Sequence, residues 1–239
     1  YAISGSCIMM KRQDGRKADE LRPIEAKTGI IERADGSAMF KIGNTCAYAA
    51  VYGPRELHPK FLQNPERGIL RCNYNMFAFS GAGERVRPGG NRRAKEISLV
   101  TQKALMPVLD LSQYPNAVVD VFIELIETDA GTRCAGICAA ALALADAGIQ
   151  MKDLVSAVSV GVAGKDLLLD IDSYEDCDLG VVDIPLAVLP RTGDITLLQM
   201  DGILSPEMLQ KALDLGVAAC RKISEIQAAA LRKRYSHEQ

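Results

Sequence analysis

The sequence predicts an α/β protein of the α+β type, with a β-β-α-β-α order used twice in one continuous domain and mixed sheets. Three observations carry this. Short apolar runs bounded by Gly, Pro, Asn or Asp recur along the chain and read as strands. Three longer stretches carry apolar residues at helical spacing. The two kinds alternate as strands, helix, strand, helix, and then in the same way again, without a clear internal sequence repeat.

Ile24 to Ile31 and Ser37 to Lys41 read as hairpin strands about the Asp35-Gly36 turn. Thr45 to Tyr52 is an apolar strand closed by Gly53-Pro54, and Leu57 to Arg67, with Pro59 and Pro65, reads as a loop. Ile69 to Phe79 alternates as a strand does. Phe77 and Phe79 share one of its faces, and such a pair belongs more often to a core than to a base-stacking surface. Gly81 to Gly90 is a flexible basic loop. Arg92 to Met106 follows as a helix that Pro107 ends. Val118 to Glu127 is a strand, and Cys134 to Ala147 is a buried helix of small apolar residues. Leu154 to Ala163, Asp166 to Ile171, Val181 to Leu189 and Ile195 to Gln199 are further strands. Ser205-Pro206-Glu207 opens the last helix, with Ser as N-cap and Pro at the first helical position. Leu209, Leu213, Val217, Cys220 and Ile223 form its predicted apolar face.

With 239 residues, the chain is long enough for a full core. No apolar run reaches the ~18 residues of a membrane span. A net charge of −2 argues against general coating of nucleic acid and leaves room for a local basic track. Basic residues gather between Arg85 and Lys95, acids between Asp170 and Asp183. The seven cysteines have no paired metal spacing; Cys134, Cys138 and Cys220 sit in apolar helical patterns, as expected of core residues in a reducing cytoplasm. Two histidines leave little room for a His-ligated metal. Tyr1 to Met10 reads as a foreign or disordered N-terminus: Ser4-Gly5-Ser6 looks like a linker, too polar for a signal peptide. Residues 11–239 form the expected single domain.

The segment Thr128 to Arg133 stands between a strand and a buried helix. The first N–H groups of a helix have no internal acceptor, and its dipole favours negative charge there. An arginine at the same place adds a guanidinium suited to phosphate oxygens. Thr128 to Arg133 is therefore a candidate anion site, with a plain strand–helix junction as the alternative.

Asp14-Gly15-Arg16, Ala34-Asp35-Gly36-Ser37-Ala38 and Val51 to Glu56 resemble the opening motifs of RNase PH-type phosphorolytic exoribonucleases. Arg92-Arg93, Glu96-Ile97-Ser98, Asp129 to Arg133, Ala145 to Ile149 and Asp183-Ile184-Pro185 follow in that family's order. The runs Pro54 to Pro59 and Leu198 to Gly202 are similar to those of its catalytic archaeal exosome branch. The resemblance runs from Asp14 to the final helix.

It implies an RNase PH-type fold and phosphorolysis: inorganic phosphate attacks the last phosphodiester of an RNA 3′ end and releases a nucleoside diphosphate. Gly131, Thr132 and Arg133 would hold the phosphate. Asp183 matches the second catalytic aspartate, as leaving-group acid or ligand of Mg²⁺ or a similar divalent cation. The first aspartate stands six residues earlier in the family, where this chain has Cys177. A one-residue insertion assigns that role, metal ligation included, to Asp176; a bent loop assigns it to Asp178. Arg92 and Arg93 match the RNA-binding arginine pair. Lys60 matches a basic residue nearer the RNA entrance, and Arg85 and Arg87 would extend the track. The implied partners are single-stranded RNA 3′ ends, a non-catalytic RNase PH-like subunit alternating in a hexameric ring, and RNA-binding cap subunits, in the cytoplasm with no membrane. A structural ring subunit without catalysis is the alternative.

Overall fold

The computed structural model describes residues 12–81, 87, 91–177 and 179–236. The N-terminal stretch 1–10, Arg85 and Asp178 lie outside these. The element order is β1 (Ile24–Thr28), β2 (Gly36–Ile42), β3 (Thr45–Glu56), β4 (Ile69–Met76), α1 (Arg92–Leu105), β5 (Ala117–Glu127) and α2 (Thr132–Asp146), then β6 (Ser156–Ala163), β7 (Asp166–Leu169), α3 (Ser173–Cys177), β8 (Val182–Val188), β9 (Ile195–Leu198) and α4 (Pro206–Tyr235). This is the α+β class that the sequence predicts. The first unit has four strands before its first helix, and a further strand, β9, stands before α4 in the second.

The first sheet has the order β1-β2-β3-β5-β4, with β4 parallel to β5 and the other pairs antiparallel. The second sheet, β7-β6-β8-β9, is antiparallel throughout. Only the first is mixed, because α1 carries the chain from β4 back to run parallel beside it.

Helix α2 is the middle of the molecule. It packs on β2 and β3 from one side and on β6 from the other. Thirteen of its fifteen residues are buried. A helix apolar all round is expected where both faces are covered. Its run of Ala139, Ala140, Ala141 and Ala143 has no bulk to hold the neighbouring layers apart. Gly36 shows how close they come: a Cβ there would lie 2.2 Å from the backbone nitrogen of Ala147.

Three differences from the sequence reading have physical causes. Strand β3 continues past Gly53-Pro54 to Glu56, because a bulge between Tyr52 and Arg55 absorbs the proline. Helix α4 buries Ala212, Gly216, Ala219, Cys220, Ile223 and Gln227, while Leu209, Leu213 and Val217 are only half-buried at the margin. Its small residues let it sit close on β6 and β8; a Cβ on Gly216 would fall 2.0 Å from Leu186. Beyond Met76 the chain leaves the sheet in a turn, so Phe77 and Phe79 are outside the core.

Cys46, Cys72, Cys134, Cys138 and Cys220 are buried free thiols, as expected of core residues. Burial pushes those of Cys72 and Cys138 up to about 12. Among the described residues no helix is long and apolar enough to cross a membrane.

Candidate active site

Strand β5 ends at Glu127, and the next turn is held in an unusual shape. Ala130 and Gly131 both have positive φ, 52° and 63°. Glycine tolerates that region; alanine there costs on the order of 1 kcal/mol or more, so its surroundings must hold it. Thr45, fully buried at the start of β3, does so with one hydroxyl. Its Oγ1 donates to the Ala130 carbonyl at 2.7 Å and accepts from the Asp129 N–H at 2.9 Å. From behind, Arg22 donates to the Asp129 carbonyl at 2.5 Å.

Gly131 is the N-cap of α2 and has no side chain to cap it. The first helical bond runs from the Ala135 N–H to the Gly131 carbonyl. The N–H groups of Thr132, Arg133 and Cys134 therefore have no acceptor within the helix. They stand at the wall of a cleft of about 1560 Å³. The side chain of Arg133 enters the same cleft. Its Nη2 lies 3.5 Å from Glu96, whose other oxygen accepts from Gln199 at 3.1 Å. Its Nε is buried without a partner. Ser80 Oγ and Gln199 Oε1, also in the cleft wall, are in the same condition. Buried polar atoms are rarely left so, and three around one cleft suit a site built for a polar ligand.

Carboxylates face this wall. Asp183 stands near the start of β8, and its Oδ1 accepts a hydrogen bond from Ser159 on β6. Burial raises its pKa; the Ser159 bond and the Arg133 charge oppose the rise, and the charges of Asp176 and Asp201 add to it. Asp176 is exposed in α3, and Asp201 pairs with Asp183 through a backbone bond of 3.1 Å. Both line the cleft.

The two walls are tied together. Asp129 accepts at one carboxylate oxygen from the N–H of Ser173, first residue of α3, at 3.0 Å. Arg22, which holds the Asp129 carbonyl, also makes a two-pronged pair with Asp170, just before α3, at 2.9 and 2.7 Å. Arg12 fastens Glu175 of α3 with two bonds of 2.7 Å. The helix carrying Asp176 is thus set in place by the turn that would hold the phosphate.

Of the residues named from sequence, Gly131, Thr132, Arg133, Arg93, Asp176 and Asp183 meet at this cleft, with Arg87. Arg92 does not line it, although Asn91 caps α1 beside Arg93, accepting from the Ala94 N–H at 2.7 Å. Lys60 is exposed just past β3, where Glu56 pairs with Ala117, whereas the cleft lies where Cys46 pairs with Glu127. At about 3.3 Å per residue, that places Lys60 roughly 30 Å away. The sequence reading missed Asp201, Glu96, Gln199 and Ser159. Three of these lie in motifs it had quoted only as family marks. Ser159 left a fainter signal, a hydroxyl inside an apolar strand.

The profile "3′ exoribonuclease family, domain 1" matches residues 20–150, and "domain 2" of the same family matches residues 153–219. The chain belongs to the RNase PH family of 3′ exoribonucleases. RNase PH relatives with substantial identity include the exosome complex component Rrp41 of Thermococcus kodakarensis, 50% identical over 94% of this chain and 90% of the relative. That of Methanopyrus kandleri is 48% identical over 94% and 93%. Among solved structures, rice Rrp46 superposes with a TM-score of 0.81 at 26% identity, covering 92% of this chain and all of the rice chain. An Archaeoglobus fulgidus exosome with RNA bound to the active site gives 0.78 at 24% identity over 90% of this chain and 92% of that chain, a likeness of fold.

Proposed function

We propose that this chain shortens RNA from its 3′ end by phosphorolysis, as the catalytic subunit of an exosome. Phosphorolytic 3′→5′ exoribonucleolysis is the activity of its family, with inorganic phosphate as co-substrate. One observation carries the assignment to this cleft: an uncapped helix N-terminus with Arg133 and a half-buried carboxyl, Asp183, line a single opening.

The chemistry follows from the charges. The attacking phosphate and the scissile phosphodiester are both anions, so the protein must neutralise them and set them in line. The free N–H groups of Thr132 and Arg133, the Thr132 hydroxyl and the guanidinium take the phosphate. Arg93 and Arg87 take the RNA backbone, whose contacts position a strand without reading it. A phosphate oxygen bonds to phosphorus while the bond to the preceding 3′ oxygen breaks. That oxygen takes a proton from the acid form of Asp183, whose pKa burial raises above the ordinary value. The products are a nucleoside diphosphate and an RNA one residue shorter with a free 3′ hydroxyl. The reverse reaction adds tails from diphosphates at the same site.

A divalent cation fits here as a guest shared with substrate. Among the described residues no group of three His, Cys, Asp or Glu is arranged to hold a metal. Mg²⁺ needs only one or two carboxylates when phosphates supply the remainder. As the alternative to the acid role, an ionised Asp183 would hold it together with Asp176, and it would offset charge on the phosphates. We read residues 12–236 as one domain, since α2 is core to both sheets. Its partners would be single-stranded RNA, a non-catalytic RNase PH-like subunit alternating with it in a hexameric ring, and RNA-binding cap subunits. The buried free thiols suit a reducing cytoplasm. Lys60, far from the chemistry, would touch RNA nearer the entrance.

The test is an assay on 3′-hydroxyl RNA with and without phosphate, using the chain alone and the native complex. Phosphate-dependent release of nucleoside diphosphates supports the reading. Release of monophosphates, or no release from either preparation, refutes it.

A further inference from the structure

We propose that Phe77 and Phe79 form a stacking step for one unpaired nucleobase at the mouth of the cleft, an inference that rests on the RNA reading above. The sequence placed these rings on one face of a strand and favoured a core role. Instead the strand ends at Met76, and the rings stand outside. Phe77 is 36% exposed and Phe79 72%. They stack on each other, centroids 5.2 Å apart and planes 5° from parallel.

Their place ties them to the site. Met76 before them and Ser80 and Gly81 after them line the cleft. The backbone is pinned on both sides: the Phe77 N–H donates to the Leu125 carbonyl at 3.0 Å, and the Thr128 N–H donates to the Ser80 carbonyl at 2.9 Å. Thr128 opens the turn that leads to Gly131. The rings therefore stand on a firm segment next to the proposed phosphate site, and little freedom remains to be lost when a base arrives.

Two parallel rings with the outer one mostly bare offer a flat π-face at the end of a short stack. Every nucleobase has a matching face, so the step would take any base. The cleft beside it carries Arg93 and Arg87, which suit the phosphates of the same strand. That combination of a flat aromatic face and neighbouring cations favours a nucleic acid over a protein surface as occupant.

The experiment measures binding of 3′-hydroxyl oligoribonucleotides to the native complex carrying Phe79→Ala, Phe79→Trp or Arg93→Glu. Losing one stacked base should weaken binding by about 5- to 150-fold. We expect F79A to do this similarly on A-, C- and U-rich strands, F79W to restore binding, and neither to change the phosphate KM or assembly. A 2-aminopurine at the stacked position should be quenched by wild type and brighter with F79A. If F79A binds RNA like wild type, the step does not exist; if R93E still weakens binding, the RNA-processing reading stands without it. If neither variant affects RNA, that reading falls as well. Should F79A lose RNA only by losing its partner subunits, the rings are a protein contact and the proposal is overturned.

Discussion

The two walls of the cleft are built by opposite means. The α2 wall is local: one turn and one helix start place Gly131, Thr132 and Arg133 together, and Thr45 and Arg22 hold the backbone in shape. The carboxylate wall is assembled from α3, β8 and the segment after β9, which bring Asp176, Asp183 and Asp201 to one place. A wall made by backbone geometry survives most substitutions, because peptide N–H groups cannot be mutated away. A wall made by side chains from distant segments depends on each side chain. The cationic wall should therefore govern phosphate capture, and the acidic wall the proton and the rate.

The largest expected effect is that of Arg133→Glu. It puts a carboxylate where the phosphate is proposed to sit, and phosphorolysis should fall by at least about 10³-fold while RNA binding persists. Steady-state assays with filter binding in parallel check this. Phosphate dependence at near-normal affinity would break the comparison at its first term.

Asp183→Asn comes next, with a loss of about 10²–10⁴-fold in both degradation and reverse tailing, since an amide cannot supply the proton. RNA binding should hold. The same variant has a stability signature. The native pKa of Asp183 lies above the ordinary 3.8, so the folded chain binds that proton more tightly than the unfolded chain does. Stability is therefore lost as pH rises from 3.8 through the native value, and the loss is complete above it. D183N cannot ionise. By calorimetry it should melt higher than wild type at neutral pH, with the advantage gone near about pH 3. An advantage that grows on acidification would contradict the shift.

Asp176→Asn sharpens the comparison within the acidic wall. It should cost about 10²-fold in kcat, the low side of a single carboxylate's contribution, whereas Asp178→Asn should be mild. The reverse order would make the loop bent rather than lengthened. Smallest is the contrast between the adjacent arginines. Arg93→Glu should weaken binding on every sequence and lower the salt slope by about 1, and Arg92→Glu should do less. Equal effects would mean that Arg92 reaches RNA outside the cleft.

What was legible in the sequence follows the same division. Thr128 to Arg133 could be read because strand, turn and helix start are contiguous, and the strand–helix order gave the class. The carboxylate wall was half legible. Asp183 stood in a quotable motif, and the displaced aspartate could be narrowed to two neighbours. Asp201 was invisible as a site residue, because only the pairing of its backbone with Asp183 brings it there. The buried face of α4 was misjudged at Leu209, Leu213 and Val217 for a related reason: Leu and Val advertise a face by their size, whereas Gly216 and Ala212 are buried by having little or none. Phe77 and Phe79 were misplaced because alternation alone does not say where a strand stops.

The most direct measurement is a phosphate saturation curve for the native complex, comparing wild type with Arg133→Lys and Asp183→Asn. Lysine keeps the charge but loses the forked donor pattern. R133K should raise the phosphate KM with a smaller change in kcat, and D183N should cut kcat with the phosphate KM near wild type. If both variants move the same parameter in the same proportion, the two walls do not divide the work and the account is wrong.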